Sequence, residues 1–381
     1  MALLAGATVA NLWYNQPLLG VMGATLHRPA VDLGPVATLT QAGYAAGLLF
    51  WVPLGDMVDR KRLLLGLLAA VGLALVAESM AANLASLEVA AFIVGAATPI
   101  PQIVVPLAAD LASSSERGRV VGTVMSGLLI GVLAARTVAG FIAEWLGWRM
   151  VFRIAAGLMV GLAALVGWLF PDDSPRPAGL SYVKGLGSLW PLFRSEPELT
   201  SAALTGSALF GTFSGFWTAL TFLLRGAPFH FTPQTIGLFG LVGIGGAVAA
   251  PLAGRLADHR DPRDTVTWAL WGSGLAMIWL ALAPRRVWAI VVGIILLDVA
   301  TQSGQISNQS RIYALSQTAR SRLNTVYMVW YFVGGAAGAG MASLAWKAWG
   351  WTGVPATGMA FLLVGGLWHR WAYQKTAVHQ P

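Results

Sequence analysis

Apolar residues along this chain come in long unbroken runs that end at charged or Pro/Gly clusters. A helix needs about 20 mostly apolar residues to cross a bilayer. The runs predict spans at Ala2–Leu26, Val36–Leu54, Leu63–Met80, Ser86–Leu111, Val120–Ala143, Val151–Phe170, Leu199–Leu224, Thr235–Ala253, Val266–Ala283, Val287–Ile312, Leu323–Trp346 and Val354–Tyr373. The expected fold is therefore an all-α membrane protein of twelve transmembrane helices. The longest connector, Pro171–Pro197, is rich in proline and separates six spans from six. The expected organisation is an N-terminal six-helix half at 1–170, a cytoplasmic linker at 171–197 and a C-terminal six-helix half at 198–381.

The two halves repeat each other. Shifted by 199, Gly55 and Asp59 meet Gly254 and Asp258. Shifted by 203, Gln102, Arg117, Arg119, Gly131, Gly147 and Trp148 meet Gln305, Arg320, Arg322, Gly334, Gly350 and Trp351. With 45 glycines in the chain, glycine matches come cheaply. Two Arg, a Gln and a Trp in one register do not. Two pseudo-symmetric bundles of six helices make a transporter architecture, with a substrate site expected near the midplane between them.

Composition narrows the class. The chain has 381 residues, 56% hydrophobic and 10% charged, with mean hydropathy +0.67. Soluble domains carry about 25% charged residues, so a soluble enzyme or a nucleic-acid binder is ruled out as the default, and the high hydrophobicity rules out a disordered chain. Formal net charge is +8, and its placement sets topology. Six basic residues, Arg28, Arg149, Arg225, Arg285, Arg286 and Lys347, fall on one side of the predicted spans. Arg136 and Arg153 fall within spans, and the other sixteen of the 24 fall on the opposite side. Basic loops stay inside, so both termini are expected in the cytoplasm of a bacterial cell, with the spans in its inner membrane. The run from Met1 carries Asn and Gln and reads as a span rather than a cleavable signal. There is no cysteine, hence no disulfide, thiol nucleophile or thiolate metal site. None of the five histidines forms an i, i+4 metal pair, and no GxxxxGK[ST] loop encodes nucleotide binding. Neither an enzyme, nor a cofactor, nor a metal, nor a nucleic-acid partner is expected. A monomer in contact with lipid is.

Gly55-Asp56-Met57-Val58-Asp59-Arg60-Lys61-Arg62 resembles the loop signature of the major facilitator superfamily, and Gly254 to Arg260 is similar to its second copy, with His259 where Arg is usual. Asn15-Gln16-Pro17-Leu18, and the stretch from Glu116 through Arg136 to Arg149, resemble a bacterial subgroup of drug or acriflavine-type exporters within that family. The resemblance implies alternating access, with Gly55, Asp59, Arg60, Asp110, Gly254 and Asp258 as a conformational latch. In it Arg60 pairs with Asp110, and Asp59 lies at a helix N-terminus of the other half. One departure stands out. The Gly-Pro pair usual in the fifth helix of drug:proton antiporters is absent from Gly127–Arg136.

Candidate chemistry lies inside the spans. Arg136 is about 25 Å from Arg119 and about 12 Å from Glu144 at 1.5 Å per residue. A buried charge costs roughly 3 kcal/mol on insertion scales. Arg136 therefore needs a partner, a water-filled cavity or an anionic ligand. Asp298, the one carboxylate placed well inside a span, heads a helical stripe with Gln302, Gln305 and Gln309. Such a face belongs against protein or an aqueous cavity, not lipid. The resemblance makes Asp298 the natural proton carrier, with a neutral or paired structural acid as the plain alternative. Asn11, Tyr14 and Asn15 in the first span and Gln102 among the prolines of the fourth are further cavity candidates, or interhelical hydrogen-bonding groups. Phe210, Phe213 and Trp217 share one helical face, as do Asn324, Tyr327 and Tyr331. These stripes are core packing, or a wall for a partly apolar substrate. Trp145, Trp148, Trp349 and Trp351 read as interface anchors.

The first expectation is a secondary transporter that exports a small, partly apolar compound against proton entry. The second is proton-coupled uptake of a small organic anion clamped by Arg136, which the missing Gly-Pro pair leaves open. A membrane sensor or lipid-handling protein is the reading from another class.

Overall fold

The computed structural model describes residues 1–113, 115–171, 181–243, 261–316 and 319–377. These residues form helices and turns, with no strand among them. The helices are α1 (Ala2–Ala10), α2 (Leu19–Thr25), α3 (Gly34–Gly55), α4 (Arg60–Met80), α5 (Leu84–Ala97), α6 (Ile100–Leu111), α7 (Arg117–Leu146), α8 (Trp148–Leu169), α9 (Tyr182–Ser195), α10 (Pro197–Arg225), α11 (233–243), α12 (Pro262–Leu282), α13 (Val287–Leu315), α14 (Arg320–Trp349) and α15 (Gly353–Ala377). Among the described residues, eight helical stretches are long and apolar enough to cross a membrane: α4, α5 with α6, α7, α8, α10, α12, α13, and α14 with α15. The predicted first, second and eighth spans are also helical, in α1 with α2, in α3, and in α11 as far as it is described. The predicted linker contains a helix of its own, α9.

Local chemistry explains the helix ends. Asp59 caps α4 by accepting from the Arg62 amide at 2.9 Å, and Asp261 caps α12 through the Arg263 amide at 2.8 Å. Asn83 and Ser86 form a reciprocal capping box at α5. The tight turns α7–α8 and α14–α15 each pass through a glycine at positive φ, Gly147 at +81° and Gly350 at +60°. L-residues rarely adopt that backbone.

Two predicted spans are broken in the middle. The first leaves the α-helix at Asn11, turns through residues 11–15, and resumes after a short 3-10 stretch Gln16–Leu18 containing Pro17. The fourth breaks at Thr98 and Pro99, between α5 and α6. Proline lacks the N–H that would carry the ladder through. Asn and Gln side chains offer the backbone other partners. The apolar run shows length and hides the break.

Contacts group the chain into two compact units, Met1–Leu186 with Leu224–Leu241, and Gly187–Leu223 with Val242–Pro381. In the first unit α1 packs on α7, α4 on α8, and α4 on α5. In the second α12 packs on α15 and on α13, and α10 on α14 through glycines. Each of these three pairings of the first unit therefore recurs six spans later. The glycine seams are the closest parallel. A Cβ on Gly131 would collide with the Gly6 carbonyl, and one on Gly338 with the Gly211 carbonyl. Only glycine lets those backbones approach so closely.

Trp145 and Trp349 are 78% and 71% exposed, as interface anchors would be. Trp148 and Trp351 depart from that expectation. Both are buried, and their indole N–H groups donate inward, to Thr25 Oγ1 at 3.1 Å and to the Leu280 carbonyl at 2.9 Å. The turn glycine just before each directs the ring into the bundle.

Candidate functional site

In the first unit the polar residues of the broken first span meet α7. Arg136 is 4% exposed. Its Nε donates to Gln16 Oε1 at 2.7 Å, and its guanidinium lies 4.6 Å from the centre of the Trp13 ring. These contacts meet the requirement for a partner at that depth with a neutral amide and an aromatic face. The Arg136 backbone is crowded by α11, since a Cβ on Gly237 would lie 2.6 Å from the Arg136 carbonyl oxygen. Thr137 Oγ1 donates to the Gly237 carbonyl at 2.9 Å. Asn15 donates to Thr40 Oγ1 at 2.8 Å, and Asn11 donates to the Met159 sulfur at 3.6 Å. The amide oxygens of Asn11 and Asn15 are buried and accept nothing among the described residues. Tyr14 is buried beside this break. Gln102 is half-buried on α6 and hydrogen-bonded to Tyr44.

The loop-signature residues of the first unit come together at the ends of three helices. Arg60 is buried and forms an ion pair with Asp110, 2.7 Å from Nη1 to Oδ2. Its Nε donates to the Gly55 carbonyl at 3.1 Å, and Asp56 lies 3.7 Å from Nη2. One guanidinium thus ties the end of α3 and the end of α6 to the start of α4. Asp59 serves as the cap of its own helix. Gly254 and Asp258 lie outside the described residues.

In the second unit Asp298 is 5% exposed on α13 and close enough to Tyr331 for the two to interact electrostatically. The Tyr331 hydroxyl donates to Gln305 Oε1 at 3.2 Å. Gln302, Gln305 and Gln309 are only half-buried, so the stripe that Asp298 heads runs from the core toward open space. The two aromatic stripes converge. Phe210 of α10 stacks on Tyr331 of α14 with centroids 4.1 Å apart and planes 15° from parallel. Phe213 and Trp217 extend that row along α10, and Tyr327 extends it along α14. Offset stacks of this kind add about 0.5–1.5 kcal/mol beyond area burial.

Two features were missed in the sequence. Glu198 accepts from Arg263 Nη2 at 2.7 Å and from Arg311 Nε at 2.8 Å. Arg311 also donates to Asn308 Oδ1 at 2.8 Å and Ser201 Oγ at 3.0 Å. The 3.6-residue period was the available signal, because Arg311 follows Asn308 and Ser307 on the buried side of α13. The second feature is Glu78. Asp298 is not the only acid inside a span: Glu78 is 1% exposed within α4.

Among the described residues, no group of His, Asp and Glu is arranged to hold a metal ion. A helical membrane bundle, repeated once and lined by buried polar and aromatic residues, defines a membrane transport protein. The comparisons with known proteins give the family. The description Major Facilitator Superfamily matches residues 1–232 and 209–381, and the chain belongs to that family. It is 42% identical over 384 residues to the uncharacterized transporter YgaY of Escherichia coli K12, covering 100% of this chain and 96% of that one. It is 35% identical over 369 residues to the transporter SCO4007 of Streptomyces coelicolor, covering 96% and 85%. The solved structure of a bacterial homolog of the human lysosomal transporter Spinster superposes with TM-score 0.76 at 14% identity, covering 98% of this chain and 95% of that one. At that identity the likeness concerns the fold. The protein is a membrane transporter and not an enzyme.

Proposed function

We propose that this transporter is a secondary active carrier in the bacterial inner membrane, with both termini in the cytoplasm. It works by alternating access and couples export of a small, partly apolar compound to proton entry. The observation that carries this reading is Asp298, a buried carboxyl group beside the aromatic row and at the head of a stripe of half-buried glutamines. A carboxyl group that takes and releases a proton there changes the charge of the wall that meets substrate. Transporters use intramembrane acids in this way. The aromatic row suits the apolar part of a substrate. The Arg60–Asp110 pair is the latch that holds one state and breaks in the other. The resemblance of Asn15–Leu18 and Glu116–Arg149 to exporters favours efflux.

One observation favours a second reading. Arg136 is buried at the break of the first span, where a carboxylate from a substrate could replace its amide partner. This gives uptake of a small organic anion.

Thermal stabilisation of the purified protein by lipophilic cations and by small organic anions separates the two, with Arg136→Ala run beside wild type. A ligand bound only to the folded state adds RT ln(1 + [L]/Kd), about 2.7 kcal/mol at a hundredfold excess over Kd. Export of an apolar compound predicts stabilisation by cationic or neutral amphiphiles that survives in the variant. Stabilisation by anions alone, lost in the variant, transfers the assignment to anion uptake.

A further inference from the structure

Glu78 has no part in the mechanism above, yet it is the most completely buried carboxyl group among the described residues. It lies on the core-facing stripe of α4, in register with Leu64, Leu67, Leu68, Val71 and Leu75. The opposite face of the helix, with Leu73, Val76 and Met80, is exposed to the membrane. Among the described residues the Glu78 side chain forms no hydrogen bond and no ion pair, and its Oε1 is fully enclosed.

The elements packed on α4 are α5, α6 and α8. Their charged and titratable groups are all accounted for. Glu88 on α5 is half-buried. Asp110 on α6 is paired with Arg60 at the other end of α4. On α8, Arg153 is exposed, and Arg149 lies over the Trp148 ring and donates to the Ala81 carbonyl at 3.0 Å. None of them pairs with Glu78. A charged carboxylate buried without a partner is not sustained in such a place. The group is tolerated as a neutral acid.

We propose that Glu78 is a second proton-binding site of this transporter, separate from Asp298, held as the neutral acid in the conformation described and exchanging its proton when the contact of α4 with α8 loosens. Arg149 of α8 donates to the carbonyl of Ala81, three residues beyond Glu78, and is the cation toward which the charged form turns. The proton site itself stands on the burial and on the missing partner. Only its part in coupling rests on the proton-coupled reading above.

The test is infrared spectroscopy of the purified protein with 13C-labelled glutamate. The expected result is a protonated-carboxyl band at neutral pH that shifts with the label, disappears in Glu78→Gln, and is lost from wild type as pH rises. Absence of any label-sensitive band from wild type at neutral pH overturns the proposal. If Glu78→Gln does not fold, the other five glutamates are replaced in turn. A band that survives each replacement supports Glu78, and a band lost with one of them overturns it. The coupling role is read separately in liposomes, where Glu78→Gln is expected to move fewer protons per substrate than wild type. A wild type that transports without moving protons defeats the coupling reading while the infrared band still decides Glu78.

Discussion

Glu198 stands between two guanidiniums, and each member of the trio depends on the others. Arg311 is buried, and its side chain spends its donors on Glu198, Asn308 and Ser201. Removing one partner from such a pair strands a charge away from water, which typically costs about 3–5 kcal/mol. Glu198→Ala is therefore expected to lower the thermal stability of the purified protein sharply, whereas Glu196→Ala, two residues earlier and outside the network, leaves it near wild type. Equal stability of the two variants in a melting experiment would show that the ion pairs carry no weight. Arg136 illustrates the other way of keeping a cation inside. Its partners include a neutral amide and an indole face.

At the scale of elements, the seams between α1 and α7 and between α10 and α14 are held open for close approach by glycine alone. A methyl group on Gly338 would fall on the backbone of Gly211, which cannot rotate away. Gly338→Ala is expected to cost about 1–3 kcal/mol, in the range for overpacked interiors. Gly66→Ala on α4, where nothing lies within 4 Å, should cost nothing. Denaturant or thermal unfolding of the pair in one detergent checks the contrast.

Much of this level was legible in the sequence. Run lengths locate the helices, and the register of Gly147-Trp148 with Gly350-Trp351 marks the same positive-φ turn twice. The breaks at Asn11–Gln16 and Thr98–Pro99 were foreshadowed by Pro17, Pro99 and the amides, but hydropathy averages over a broken ladder. The candidate site was legible as separate faces: the aromatic stripes, the glutamine stripe, Arg136. The meeting of the two aromatic stripes was not, because helix periodicity says which residues share a face and never which face meets which. Glu78 escaped for a related reason. It sits two residues from the end of α4, where a sequence reading expects the membrane rim, and only packing shows the position to be enclosed.

The whole molecule is a duplicated bundle whose charge is distributed by side. Sixteen of its 24 basic residues fall in connectors or at span ends expected on one face, and six on the other. That bias predicts cytoplasmic termini. A fluorescent protein that folds only in the cytoplasm should glow when fused to either end, and a periplasmic phosphatase fused there should stay inactive. The reverse pattern would invert the topology and exchange the sides assigned to the latch and to Glu78.

The central claim is that Asp298 couples proton movement to substrate movement. Its most direct test places purified protein in liposomes containing a pH-sensitive dye, with a compound found by the stabilisation screen. Wild type is expected to move protons when the compound is added and to concentrate the compound when a pH gradient is imposed. Asp298→Asn is expected to bind the compound and exchange it across the membrane while losing both responses. Proton movement by Asp298→Asn equal to wild type would contradict the account.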